Sequence, residues 1–389
     1  MTILIFLGAL LGGMAIGVPI AYSLLVSGIS LMWHLDMFDS QILAQNVIHG
    51  ADSFPLLAVP FFMLAGEIMN TGGLSRRIVK FALTLVGHRR GGLGFVAIVA
   101  ACILAALSGS AVADTAALAA LLLPMMVAAG HDKAKAGGLI ASAGIIAPVV
   151  PPSVSFVIFG VAANVSVSKL FLAGIVPGAL MGLAIAATWW FVARAENVEP
   201  APKAHTSEKL AAFKEAIWAL FLPVIVIVGL KMGVFTPTEA GVIAAVYSLI
   251  ISTLEYKELR LAQLFDVFVN AAKTTSIILF LAAAAMVSAW LINVADIPSQ
   301  AIDLLGPLMD SPILLMFAIM VLVMLVGTAM DMMPTILVMT PVLVPVVKAA
   351  GIDPVYFGVL FIMNNAIGLV TPPVGTVLNV VAGVGPISR

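Results

Sequence analysis

Two short stretches place hydroxyls and an acid beside a glycine inside otherwise apolar runs. In LSGSAVADTAAL (107–118), Ser108 and Ser110 flank Gly109, and Asp114 follows; in LVGTAMDMMPTI (325–336), Gly327 and Thr328 precede Asp331. Glycine permits a sharp chain reversal. Inside a membrane, a reversal frees amides that can meet an anion at helix N-termini, while its carbonyls and hydroxyls are oxygen ligands for a sodium ion. A single Ser-Gly-Ser equally suits close helix packing. Its recurrence as Gly327-Thr328 favours two re-entrant hairpin tips. An acid just beyond each tip either orients a bound cation or caps a half-helix through its dipole.

Two Pro-Pro pairs offer related chemistry. Pro151-Pro152 is followed by Ser153 and Ser155; Pro372-Pro373 is preceded by Thr371 and followed by Gly375 and Thr376. Proline lacks an amide donor and cannot continue the preceding helix, so carbonyls are freed that suit a hard cation. A kink without a ligand explains one such pair less strainedly than two matched pairs. Asn364 and Asn365, just before the second pair, either line a substrate cavity or bond a neighbouring helix. Glu67 and Glu239 stand near segment ends, where a cap or boundary role fits.

These groups sit in a chain of 389 residues that is 62% hydrophobic and 10% charged. A soluble domain carries about 25% charged residues, and apolar stretches of roughly 20 residues, enough to cross a bilayer, recur throughout. Only helices or closed barrels satisfy a backbone in lipid. The expected class is therefore an all-α polytopic membrane protein in the lipid bilayer, its first apolar segment (3–33) a retained helix. With 18 basic and 19 acidic residues and no basic face, nucleic acid is excluded as a partner. The lone Cys102 is a packing residue. An intramembrane hydrolase is the rival class, but His34, His49, His88, His131 and His205 all fall in loops or at segment ends, so the central serines have no general base. A channel would repeat around an oligomeric axis instead.

Polar breaks fall at 34–53, 71–92, 131–136, 194–214, 254–262 and 293–311, and the most polar of them lies near the midpoint. The landmarks after it repeat those before it. Val344-Pro345, Ala350-Gly351 and Pro372-Pro373 follow Leu123-Pro124, Ala129-Gly130 and Pro151-Pro152 at an offset of about 221 residues. Pairing Gly109 with Gly327 requires a three-residue insertion. Residues 71–92 carry five basic residues and no acid, whereas 289–310 carry three aspartates and no base. Because lysine and arginine mark the cytoplasmic side of short loops, corresponding loops face opposite sides. That predicts two inverted-topology repeats with re-entrant hairpins and broken helices: residues 1–195 and 214–389, joined by a linker at 196–213. The second repeat is expected to lack the counterpart of the helix near 170–193.

The quoted segments resemble the large membrane subunit of tripartite ATP-independent periplasmic (TRAP) transporters. PFFMLAGEIMNTGGLSRRIV, GLIASAGIIAPVVPPSVSFVIFG, GVFTPTEAGVIAAVY and FIMNNAIGLVTPPVGTVLN are similar to that family's signature blocks. The opening segment and WALFLPVIVIVG most resemble its 2,3-diketo-L-gulonate branch. The resemblance implies an elevator-type secondary transporter of the bacterial inner membrane, not an enzyme and not driven by ATP. It implies sodium ions as coupling ions, a small membrane subunit and a periplasmic substrate-binding protein that delivers a small anionic substrate. That substrate is a sugar acid or C4-dicarboxylate. Sodium ligands are expected at Ser108, Gly109, Ser110, Pro151, Ser153, Gly327, Thr328, Asp331, Thr371 and Thr376. Substrate contacts are expected at Ser110, Ser155, Asn364, Asn365 and Gly375. A stand-alone ion-coupled anion transporter is the alternative.

Overall fold

A computed structural model describes residues 2–196 and 198–384. Among them every regular element is helical, and eight helices are long and apolar enough to cross a membrane. Residue 197 of the expected linker and residues 385–389 of the expected second repeat lie outside the described residues.

The elements form two matched series. A helix pair opens each, Thr2–Ala15 with Ile20–His34 and Thr206–Lys231 with Pro237–Ile250. The chain turns at Gly17 and Gly233, both at positive φ. Next come Ser40–Ala51 and Ala58–Thr71, separated by a turn over Phe54–Leu57, opposite the continuous helix Leu261–Val294. Two shorter helices follow, Leu74–Val86 and Ile297–Met309. Both occupy intervals expected to be loops. In Leu74–Val86, Leu74, Ile78, Val79 and Ala82 are buried, while Arg76 and Lys80 are exposed and reach Glu258 and Glu215. A helix with one apolar stripe and one charged face reads as a polar break when only its charges are counted.

Each series then contains a hairpin and a broken helix. Hairpin 1 is Gly92–Ser108 with Ala111–Ala128; broken helix 1 is Lys133–Gly144 and Val154–Ala163 on either side of Pro151-Pro152. Hairpin 2 is Pro312–Ala329 with Met332–Ala349; broken helix 2 is Pro354–Gly368 and Thr376–Val384 around Pro372-Pro373. Both Pro-Pro bonds are cis. The first series continues into the long helix Val167–Arg194. The non-helical connection is shorter than the composition suggested. A helix begins at Thr206, where the Glu208 carboxylate accepts from the His205 amide at 2.8 Å.

Packing sorts the helices into two groups. The opening pairs, Ser40–Ala51, Ala58–Thr71, Leu74–Val86 and Leu261–Val294 pack chiefly on one another; the hairpins and broken helices form a second body with Val167–Arg194. Within that body the two series interlock. Met332–Ala349 lies on Val154–Ala163, and Thr376–Val384 lies on Ala111–Ala128 and Lys133–Gly144. Phe159 meets Phe357 and Phe361 at ring-centroid distances of 6.1 and 5.8 Å, sealing the crossing. Offset aromatic contacts of this kind add about 0.5–1.5 kcal/mol beyond area burial.

Candidate functional site

At the first tip, Gly92–Ser108 stops because Gly109 takes a left-handed conformation, φ +62°. A side chain there is also excluded by contact, since a Cβ would lie 2.4 Å from the Pro152 carbonyl oxygen. Tip 1 therefore rests directly on break 1. Ser110, in extended backbone, starts the next helix by accepting from the Ala113 amide at 3.4 Å. The Ser108 hydroxyl donates to Asp114 Oδ1 and accepts from the Ser110 amide at 3.2 Å. The expected acid thus sits one turn inside the second helix, held by the hydroxyl that precedes the turn. Asp114 is buried, and its Oδ2 has no hydrogen-bond partner. The same holds for Thr115 Oγ1, which fills the space a Cβ on Gly144 would take.

Break 1 is closed to solvent throughout Pro151–Ser155. Ser153 caps Val154–Ala163, accepting from the Phe156 amide at 3.3 Å while donating to the Pro148 carbonyl at 2.5 Å. Ser155 donates to Met332 Sδ at 2.9 Å and so joins break 1 to hairpin 2. Val167–Arg194 covers this region: a Cβ on Gly174 would lie 2.4 Å from the Val149 carbonyl oxygen.

The second tip is not at Gly327-Thr328. Those residues lie in the last turn of Pro312–Ala329, and the reversal is made by Met330 and Asp331, both extended. Two extended residues need no glycine. Gly327 is required for packing instead, because its Cβ would stand 2.7 Å from Asn365 Oδ1, and a Cβ on Gly368 would stand 2.6 Å from the Gly327 carbonyl oxygen. Ser110 and Asp331 keep the same offset as Pro151 and Pro372, so no insertion is needed. The structural counterpart of Asp114 is Thr335, whose hydroxyl donates to the Asp331 carbonyl at 2.8 Å.

Asp331 Oδ1 accepts from Thr376 Oγ1 at 3.3 Å, and the Val374 amide donates to the Thr328 carbonyl at 3.2 Å. Tip 2 thereby rests on break 2 as tip 1 rests on break 1. Thr328 and Thr371 donate to carbonyls of their own helices, Leu325 and Ile367, each at 2.8 Å. Gly375 takes φ +52° and starts the helix after the break. Asn364 is half-buried and donates to the Met320 carbonyl at 2.6 Å. Fully buried Asn365 donates to the Met332 carbonyl at 3.3 Å, leaving Oδ1 unpaired.

The structure therefore brings Ser108, Gly109 and Ser110 onto Pro151–Ser153, and Asp331 onto Thr376, with Ser155, Met332 and Asn365 bridging the two. It sets Gly327, Thr328 and Thr371 back from the second turn. Thr115, Met332, Thr335 and Gly368 were not singled out from the sequence. For Thr115 the signal was available, a hydroxyl following an acid in an apolar run. Buried oxygens without partners are Asp114 Oδ2 and Thr115 Oγ1 in hairpin 1 and Asn365 Oδ1 beside Gly327, and oxygen is the ligand a hard cation takes.

Known proteins share this chain's sequence pattern and its fold. Residues 7–389 match the family model described as tripartite ATP-independent periplasmic transporter, DctM component. The chain is 59% identical over 384 residues to the 2,3-diketo-L-gulonate TRAP transporter large permease protein YiaN of Escherichia coli (strain K12), covering 99% of this chain and 90% of that protein. It is 37% identical to the C4-dicarboxylate TRAP transporter large permease protein DctM of Pseudomonas aeruginosa, covering 88% of this chain and 80% of that one. The crystal structure of the Alcanivorax borkumensis YdaH transporter shares the fold, with a TM-score of 0.62 at 14% identity over 88% of this chain and 80% of that one. Both relatives are permeases, which sets the hydrolase alternative aside.

Proposed function

Because this chain belongs to the DctM component family of tripartite ATP-independent periplasmic transporters, we propose that it couples uptake of a small carboxylate, a sugar acid of the diketogulonate kind, to sodium entry. It is a multi-pass protein of the bacterial inner membrane and the large permease of a carboxylate or sugar-acid uptake system. The observation that carries the sodium reading is the pair of hairpin tips seated on broken helices, with unpaired buried oxygens just past the first tip, at Asp114 and Thr115. Sodium, when bound, supplies positive charge that draws in the substrate carboxylate. Asp114, Thr115 and Ser110 offer oxygens at the first tip and Asp331 at the second, and Ser108 orients Asp114. If sodium binding orders the tips, substrate affinity rises, and linkage makes the two effects equal.

The two element series are read as inverted repeats. Their interlocked hairpins and broken helices move as one block against the outer helices, which also hold a small membrane subunit, while a periplasmic binding protein delivers the substrate. The test is uptake of labelled 2,3-diketo-L-gulonate by proteoliposomes holding this chain and its small subunit, with binding protein outside, with and without an inward sodium gradient. Sodium-dependent uptake requiring all three parts is expected. Uptake by this chain alone would replace the tripartite reading with a stand-alone transporter, and sodium-independent uptake would remove the coupling.

A further inference from the structure

A groove of about 360 Å³ runs between Lys133–Gly144 and Val167–Arg194 on the outer side of the hairpin body. Gly138, Leu139, Ala184, Ile185 and Val192 line it. Two hydroxyls line it, Ser142 and Thr188, but each donates to its own helix, to the Gly138 carbonyl at 2.8 Å and the Ala184 carbonyl at 2.9 Å. The groove therefore presents an almost wholly apolar interior. From Lys135 to Ser142 it follows two helical turns, about 10 Å at the usual rise. Neighbouring Val176, Leu180 and Leu183 on the same long helix are exposed, as on a surface facing lipid.

One end differs in kind. Lys135 stands at the rim, its side chain 48% exposed, 3.6 Å from Glu196 Oε1. The second oxygen of Glu196 is already engaged by His131 Nδ1 at 2.6 Å. Trp189 closes this end; its indole donates to the Gly91 carbonyl at 2.8 Å, which fixes the ring in place. On the neighbouring turns Trp190 is exposed with Arg194 stacked on its ring, and basic and aromatic residues at the end of an apolar path mark the level of lipid headgroups.

We propose that this groove is a binding site for a membrane glycerophospholipid, with an acyl chain lying over Gly138 and Ala184 and the lipid phosphate on the Lys135 ammonium. An empty slot of this size would forfeit dispersion contacts along both helices, and a lipid chain is the apolar occupant a bilayer supplies. Charge selects the phosphate: the Lys135 ammonium has three donors, stands 3.6 Å from one carboxylate oxygen, and is half-exposed at the rim, so it has donors to offer an anion. The proposal is independent of the sodium and substrate reading, since occupancy is measured without transport.

Gly138 permits a clean test, because a Cβ there meets nothing within 4 Å. Gly138→Leu fills the groove without displacing a neighbour, and leucine favours the helix. Gly12→Leu, equally open but on Thr2–Ala15, is the control. The transporter complex, purified from membranes in mild detergent, is weighed by native mass spectrometry. Wild type and Gly12→Leu are expected to retain one phospholipid that Gly138→Leu lacks, and Lys135→Ala to reduce its occupancy at least tenfold. Ala184→Leu, blocking the facing side, should repeat the Gly138→Leu result. Equal phospholipid retention in all variants overturns the proposal. Loss of the small subunit from Gly138→Leu and Ala184→Leu also overturns it, making the groove a protein interface.

Discussion

The two hairpin tips use one backbone plan with opposite local chemistry. Tip 1 turns on a left-handed glycine, places its acid one turn deep, and lies on a break sealed by the long helix after it. Tip 2 turns on two extended residues and places its acid at the helix cap itself, where Thr376 of the broken helix donates to it. The carboxylate has moved by one helical turn, with Thr335 where Asp114 would be. The two series thus keep their caps and breaks in register while the charged oxygen changes position, so the two tips share a seat on a broken helix and differ in their turn and in the oxygens they present.

The largest expected effect tests the contact under tip 1. Gly109→Ala meets both a left-handed backbone, worth about 1–2 kcal/mol, and the Pro152 carbonyl oxygen, and sodium-driven uptake should fall more than about tenfold, or 1.4 kcal/mol. Gly130→Ala, also at positive φ but with open space around it, should keep most of its activity; equal losses in the two would assign the defect to backbone conformation and not to the tip's seat.

The acids separate next. Asp114→Ala leaves buried Ser108 without its acceptor, so thermal stability in detergent should drop by the equivalent of about 1–3 kcal/mol. Asp331→Ala, at a half-buried cap, should leave the melting temperature close to wild type while raising the sodium concentration for half-maximal uptake. The comparison breaks if the stability loss appears at Asp331 and not at Asp114.

Hydroxyls give a smaller contrast. Ser108→Ala should weaken the sodium response several-fold, whereas Thr328→Ala removes only a bond back to its own helix and should change it little. Matching sodium titrations in the two variants would restore Gly327-Thr328 to the tip. Smallest is Ser155→Ala, which loses the contact to Met332 across the two series; at about 0.6 kcal/mol for a hydrogen bond between membrane helices, it should shift the unfolding midpoint slightly and leave uptake nearly unchanged.

Much of this arrangement was legible in the residues. Ser108-Gly109-Ser110 marked a true turn because that turn requires φ above zero, a demand glycine meets and the sequence displays. The same reasoning misplaced tip 2, since Gly327 answers a packing demand from Asn365 and Gly368 that has no local mark. Residues 71–92 and 293–311 read as loops for a similar reason: their charges are visible in sequence, while the stripe that buries Leu74, Ile78 and Ala82 acquires meaning only against a neighbour.

The sequence by itself determined the membrane-spanning class, the two broken helices and the first tip, because hydropathy, proline and left-handed glycine act through the local chain. Tertiary structure alone decided which residues make the second turn, which acid is buried and which glycines are pressed against a facing backbone. Those outcomes depend on how closely two backbones approach and on which helix covers them, and neither distance is written into any short stretch of residues.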